Sequence, residues 1–69
     1  MNFSQRFKGL RLRAGLTQAE VAERLDLTNR AVGAWESGRS RPRLDKLQQL
    51  ADLFNVTVSE LMGEEAEPV

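Results

Sequence analysis

The chain has 69 residues with 10 basic and 10 acidic side chains, no cysteine and no histidine. That length allows one domain of thin stability margin, and the missing residue types rule out a disulfide, a thiolate or zinc site and histidine-based acid–base catalysis. The zero net charge conceals a split, because residues 1–43 hold nine bases against four acids and residues 44–69 hold one base against six acids, giving +5 and −5.

In chain order, Phe3, Phe7, Leu10 and Ala14 recur at steps of four, three and four. That spacing predicts a first helix over residues 4–13, with Ser4 as N-cap and Gly15 as its stop. Thr17 followed three residues later by Glu20 is a capping box and opens a second helix. Val21, Ala22 and Leu25 form its apolar face, and it should stop near Asp26. A third helix begins after Thr28, with Val32 and Trp35 pointing inward and Ser37-Gly38 at its end. Residues 38–43 form a short polar loop containing Pro42. Leu44, Leu47, Leu50, Ala51 and Phe54 mark the clearest amphipathic helix, whose cap is poor because Arg43 stands where Ser or Asp is preferred. Thr57 and Glu60 form a second capping box and open a short fifth helix that ends at Gly63. Residues 64–69 carry no apolar pattern and are expected to fray as an acidic tail or the start of a linker. The expected architecture is all-α, a five-helix bundle over residues 1–63.

Hydrophobic residues make up 41% of the chain and charged residues 29%, a globular composition. No run approaches the roughly 18 apolar residues of a membrane span, and the first six residues do not form a signal peptide. The expected setting is therefore cytoplasmic, with no membrane partner. No nucleophile–base pair, convergent acid–base pair or glycine-rich phosphate loop is present, so neither catalysis nor a cofactor or metal is expected.

The basic half points to a polyanion such as nucleic acid, or else to a chance excess followed by an acidic tail. Eight of the ten bases are arginine, the better bidentate partner for phosphate and guanine. The second and third helices are separated by about residues 26–28, short enough for a steep crossing, and so read as a helix-turn-helix. One residue turns a helix by about 100°, so Arg30 and Ala34 lie about 200° from the inward Val32. The outward face of the third helix is then Arg30, Gly33, Ala34 and Ser37, with Asn29 at its open end. Gly33 costs about 1 kcal/mol against alanine in mid-helix. Either it packs against the second helix or it lets the third helix approach another surface closely.

Several stretches together resemble the phage-repressor and Cro-type helix-turn-helix family, also called Xre-like. They are the residues from Gly15 through Ala22, from Ala31 through Gly38, then Arg41, Pro42 and Leu44, and from Ala51 through Val56 with Leu61, Met62 and Gly63. The likeness covers about residues 10–63. It implies a lambda-repressor-like DNA-binding domain of a transcriptional regulator, typically a repressor acting as a dimer. On that resemblance Thr28, Asn29, Arg30, Gly33 and Ala34 fall on positions that face base edges. The chemistry suits arginine on guanine, asparagine on adenine and alanine against a thymine methyl. Thr28 is also a helix cap. Gln18, with Thr17 beside it, falls on a phosphate-gripping position that braces the third helix. Ser37, Arg39, Arg41 and Arg43 follow the phosphate backbone. Arg11 and Glu36 match a partly buried ion pair of several relatives.

The chain departs from that pattern at Arg43, where a small capping residue is usual, and at Gly33, where serine is frequent. Phe3 and Phe7 are heavier than the N-terminus needs, and either pack on the fourth helix or cover a dimer surface. One recognition helix reads only about four or five base pairs, so a homodimer on a palindromic operator is expected. Val56, Val58, Leu61 and Met62 are its expected contact surface. The alternative is a protein-binding regulator, such as an antitoxin, on the same fold. The N-terminal charge and the Asn29/Arg30 pair favour double-stranded DNA in a nucleoid setting.

Overall fold

The computed structural model describes residues 2–63 and consists of α1 (Phe3–Arg13), α2 (Gln18–Arg24), α3 (Asn29–Ser37), α4 (Leu44–Phe54) and α5 (Val58–Met62). No strand occurs among the described residues, so the fold is all-α. The expected tail, residues 64–69, lies outside them.

α1 starts one residue earlier than its sequence pattern indicated. Asn2, not Ser4, is the N-cap, accepting from the Gln5 N–H at 3.0 Å while Gln5 Oε1 accepts from the Asn2 N–H at 3.4 Å. Two orphan donors of the first turn are thereby satisfied. Ser4 serves another helix, donating its hydroxyl to the Trp35 carbonyl at 2.8 Å. Gly15 ends α1 as expected. Its φ of 74° lets its own N–H reach the Leu12 carbonyl and the Leu16 N–H reach that of Arg11. The capping boxes at Thr17/Glu20 and Thr57/Glu60 form as read. At Arg43 no side-chain cap bond exists, and α4 relies on Asp45 in its first turn.

The core gathers one face from every helix. Phe7 is fully enclosed, and its ring centroid lies 5.7 Å from Phe3, 5.9 Å from Trp35 of α3 and 5.9 Å from Phe54 of α4. Both N-terminal phenylalanines therefore pack inward, which removes them from any dimer surface. Burying a side chain of that size stabilises the fold by about 1.5–3 kcal/mol. Val21, Ala22 and Leu25 of α2, Val32 of α3, Leu47, Leu50 and Ala51 of α4 and Leu61 of α5 complete the core.

α1 packs against both α3 and α5, α2 packs on α3, and α4 on α5. Three long side chains tie these elements through helix carbonyls or charge. Arg6 Nε donates to the Glu60 carbonyl at 2.8 Å, holding α5 to α1. Lys46 Nζ donates to the Leu25 carbonyl at 2.9 Å, closing the C-terminus of α2 with a cation. Arg11 pairs with Glu36 on α3. Among the described residues, no helix is long and apolar enough to cross a membrane.

Candidate nucleic-acid interface

α2 stops at Arg24 and turns through Asp26, whose φ of 59° is left-handed. The Leu27 N–H then returns to the Ala22 carbonyl at 2.8 Å, and Thr28 immediately caps α3 by accepting from the Ala31 N–H at 3.2 Å. This tight link lays α2 across α3 and leaves the N-terminal end of α3 in solvent.

On α3 the inward direction is set by Val32 and Trp35, both buried. With about 100° per residue, Arg30 and Ser37 point almost directly away from that direction, while Asn29 with Gly33 and Ala34 flank them. The Asn29 and Arg30 side chains are exposed and make no hydrogen bond or ion pair with another described residue. Gly33 and Ala34 are half-buried at the edges of this face. Thr28 is exposed and serves as the cap. An added Cβ at Gly33 would meet only Gln18 Oε1, at 3.7 Å. That is ordinary contact, so packing against α2 does not demand the glycine.

The loop after α3 is basic and exposed. Gly38, with φ of 82°, reverses the chain so that the Arg39 N–H bonds the Ala34 carbonyl at 3.0 Å. Ser37 Oγ donates to the Ala34 carbonyl at 3.1 Å and accepts from Arg39 Nε at 3.1 Å, which holds Arg39 alongside the end of α3. Arg41 and Arg43 are exposed on the same loop, while Pro42 between them is buried and anchors it. Four arginines, at 30, 39, 41 and 43, thus occupy α3 and the loop that follows it. The one carboxylate on α3, Glu36, faces the other way and is matched by Arg11.

That pair is enclosed, with side chains 10% and 7% exposed. Arg11 Nε and Nη2 both bond the Glu36 carboxylate, the second at 3.2 Å, and Nη1 donates to the Leu16 carbonyl at 2.8 Å. Gln18 Nε2 also donates to Glu36 Oε1, at 3.0 Å, so Gln18 braces α3 directly. Thr17 beside it is exposed and occupied as the α2 cap, accepting from the Glu20 N–H at 3.1 Å. The Thr17 backbone N–H, and secondly its side chain, hold the Glu20 carboxyl below its ordinary range. Thr57 does the same for Glu60.

One residue of the expected dimer surface is misplaced. Leu61 is fully enclosed in the core and presents no surface to a partner. A five-residue helix must bury at least one large side chain to be held at all, and Leu61 is that anchor. Val58 and Met62 of α5, and Val56 in the link before it, are half-buried. Val56 also lines an open groove of about 300 Å³ with Gln5, Arg6, Gly9, Leu10, Arg13 and Glu60. Among the described residues, no group of His, Cys, Asp or Glu is arranged to hold a metal ion.

The sequence did not reveal the Ser4–Trp35 and Lys46–Leu25 bonds, nor that Gln18 braces α3 through Glu36. Each joins residues at least 18 positions apart. The Asn2/Gln5 box was legible, since Asn followed three residues on by Gln has the capping spacing.

A family profile described as helix-turn-helix matches residues 7–61. The chain is 38% identical over 66 residues to an HTH-type transcriptional activator, BcrR, of Enterococcus faecalis, an alignment covering 94% of this chain and 32% of that protein. It is 40% identical over 65 residues to the 26 kDa repressor protein of Escherichia phage HK022, covering 88% of this chain and 28% of the repressor. Both relatives are thus roughly three times as long as the part they share. The crystal structure of a transcriptional regulator from Listeria innocua superposes with a TM-score of 0.84 at 33% identity, over 88% of this chain and 57% of that one. With most of its length matched, in sequence and in the order and packing of its helices, the chain belongs to the helix-turn-helix family of Cro- and Xre-type regulators.

Proposed function

We propose that this chain is the DNA-reading part of a transcriptional regulator and inserts the N-terminal half of α3 into the major groove. The observation that carries this reading is the outward face of α3. Asn29 and Arg30 stand exposed and without protein partners at the helix end that opens to solvent. They can make bidentate bonds to adenine and guanine edges, with Ala34 against a thymine methyl, Gly33 close beside the bases and Thr28 at the groove edge. Gln18, Thr17, Ser37, Arg39, Arg41 and Arg43 flank that face and supply phosphate contacts, which hold register without reading sequence. The relatives, one named an activator and one a repressor, agree with a regulator of either sign. The sign is then set by where the operator lies relative to a promoter.

A single α3 reads too few base pairs for genomic specificity. The functional unit is therefore a symmetric dimer on an inverted repeat, its half-sites about 34–36 Å apart along one face of the duplex. The outer face of the α4–α5 corner, with Val56, Val58 and Met62, is the proposed contact between copies.

Selection against a randomised duplex pool, followed by a salt titration on the winning site, tests the reading. Enrichment of an inverted repeat, with affinity falling steeply as salt rises, is expected. On that site Arg30→Ala should cost roughly 1–3 kcal/mol and relax one base position, while Arg39→Ala should weaken all sequences alike and lower the salt slope by about one. Identical effects from both variants would refute this division of labour. No binding even at low salt would refute the DNA reading and favour a protein partner, such as a toxin or an effector domain.

A further inference from the structure

The open groove beside Val56 continues past α5. A second groove, also of about 300 Å³, lies along Ala14, Phe54 and Asn55, and the two share Leu10, Arg13 and Val56. They therefore form one trough between α1 and the α4–α5 corner. Its floor is apolar, with Leu10, Val56 and Phe54 half-buried. Its α1 wall has a gap. Gly9 stands inside α1 without a left-handed backbone, and a Cβ added there would meet nothing within 4 Å. Glycine in a helix interior is destabilising against alanine, and no described neighbour requires it here. The bare backbone keeps the trough open. Charge is also unbalanced. Arg6 is tied to Glu60 through the Glu60 carbonyl, but Arg13 is exposed and makes no hydrogen bond or ion pair with another described residue. The Glu60 carboxylate accepts from the Thr57 N–H at 2.9 Å. Two arginines thus face one carboxylate that is already engaged.

These features call for a narrow, acidic occupant, and such a segment follows α5 in the chain. The bond from Arg6 Nε to the Glu60 carbonyl, at 2.8 Å, sets Arg6 at the C-terminal end of α5, next to the Gly63 cap. Residues 64–69 carry Glu64, Glu65 and Glu67 and no base. Six residues span about 20 Å when fully extended. The rise of α1 from Arg6 to Arg13 is only about 10 Å. A short tether also raises the effective concentration of the segment at the trough to the order of millimolar. We propose that the trough receives residues 64–69 of the same chain, with their carboxylates set against Arg6 and Arg13.

The chain has no cysteine, so Ala66→Cys provides a single site for a nitroxide label on the 69-residue chain. In nitrogen-15 NMR spectra, paramagnetic broadening is expected along the trough, at the amides of Gly9, Leu10, Arg13 and Asn55. It should be lost at about 1 M salt, where the Debye length is about 3 Å. Arg13→Gln, which removes a charge that no described residue matches, should abolish it as well. So should Gly9→Leu, which sends a side chain into the open space of the trough. Leucine is a better helix former than glycine, so the same variant should show a raised Tm and an intact fold. Broadening that survives Gly9→Leu or Arg13→Gln would mean that the segment only passes by on its tether, and would overturn the proposal. So would broadening confined to Met62 and Gly63. If Gly9→Leu does not fold, Arg13→Gln decides alone. Val56 also belongs to the proposed contact between copies, so a second copy is the rival occupant. A mixture of nitrogen-15 chain without nitroxide and nitroxide-bearing chain without nitrogen-15 separates the two. No broadening along the trough is expected in the mixture. Broadening there as strong as in the singly labelled chain would assign the trough to a second copy, and would also overturn the proposal.

Discussion

Replacing Gly33 with alanine separates the two roles open to a glycine in the middle of α3. The position has no left-handed backbone, and an added Cβ would meet a single atom, Gln18 Oε1, at 3.7 Å. Nothing in the packing of α2 on α3 therefore opposes a methyl group. Alanine is favoured over glycine in a helix interior by about 1 kcal/mol, chiefly because the unfolded chain loses freedom, and measured gains at compatible sites are about 0.4–1 kcal/mol. For a domain of this size 1 kcal/mol moves Tm by roughly 4–8 °C, so Gly33→Ala should raise Tm by about 2–8 °C in calorimetry. A lowered Tm would refute the claim that the site has room. The same variant reports on DNA. If α3 approaches base edges through this bare position, affinity for the selected duplex falls although the fold is more stable. Unchanged affinity would remove Gly33 from the base contacts.

Arg11→Ala leaves the Glu36 carboxylate enclosed without its counter-ion, and should cost about 3–5 kcal/mol in urea unfolding. A loss under about 1 kcal/mol would mean that the pair behaves as an exposed one. Leu61→Ala should cost about 2–5 kcal/mol by emptying the α5 anchor site. Met62→Glu, on the outer face, should instead weaken association in sedimentation while leaving monomer stability near its starting value; the reverse ranking would overturn the division of α5 into a core side and a contact side. Glu20 and Glu60 are held below the ordinary carboxylate value of 4.5 by Thr17 and Thr57. A depressed pKa contributes stability that is complete above the unfolded value and lost as pH falls through the folded one. Tm should therefore decline below about pH 4.5, and less steeply in Glu20→Gln and Glu60→Gln; profiles parallel to that of the unaltered chain would refute the assignment.

The helices were legible because their signals are local. Capping boxes at Thr17/Glu20 and Thr57/Glu60, apolar steps of three and four, and Gly15 and Gly38 at helix ends each act within one or two turns. The errors share a different cause. Ser4 fits an N-cap by residue type, but Asn2 with Gln5 satisfies more donors, and the serine hydroxyl was claimed by a carbonyl 31 residues away. Leu61 belonged to an apolar group that looked too large for so short a helix. Only packing against the other helices decides that one member of such a group faces the core. The stop expected near Asp26 holds, and Asp26 and Asn55, both left-handed at φ of 59°, end helices without a glycine. In the interface, the outward set on α3 follows from helical angle alone. The carboxamide orientation at Gln18 does not, because it depends on three side chains from three helices.

A nine-residue helix is marginal by itself, yet reading base edges requires that it be held to a fraction of an ångström. The polar ties on α3 explain how both conditions are met. Ser4 bonds the Trp35 carbonyl, Arg11 and Gln18 bond the Glu36 side chain, and Trp35 itself packs edge-on to Phe7. Every one of these ties falls at Trp35 or Glu36, in the C-terminal half. The N-terminal half is fixed by the Thr28 cap and the buried Val32, and its outward side chains carry no obligation to the fold. The helix is thus clamped at one end and presented at the other. Substitutions at 29 and 30 should consequently change which duplex is bound with little effect on stability, whereas Trp35→Ala should destabilise the domain before it alters its preference.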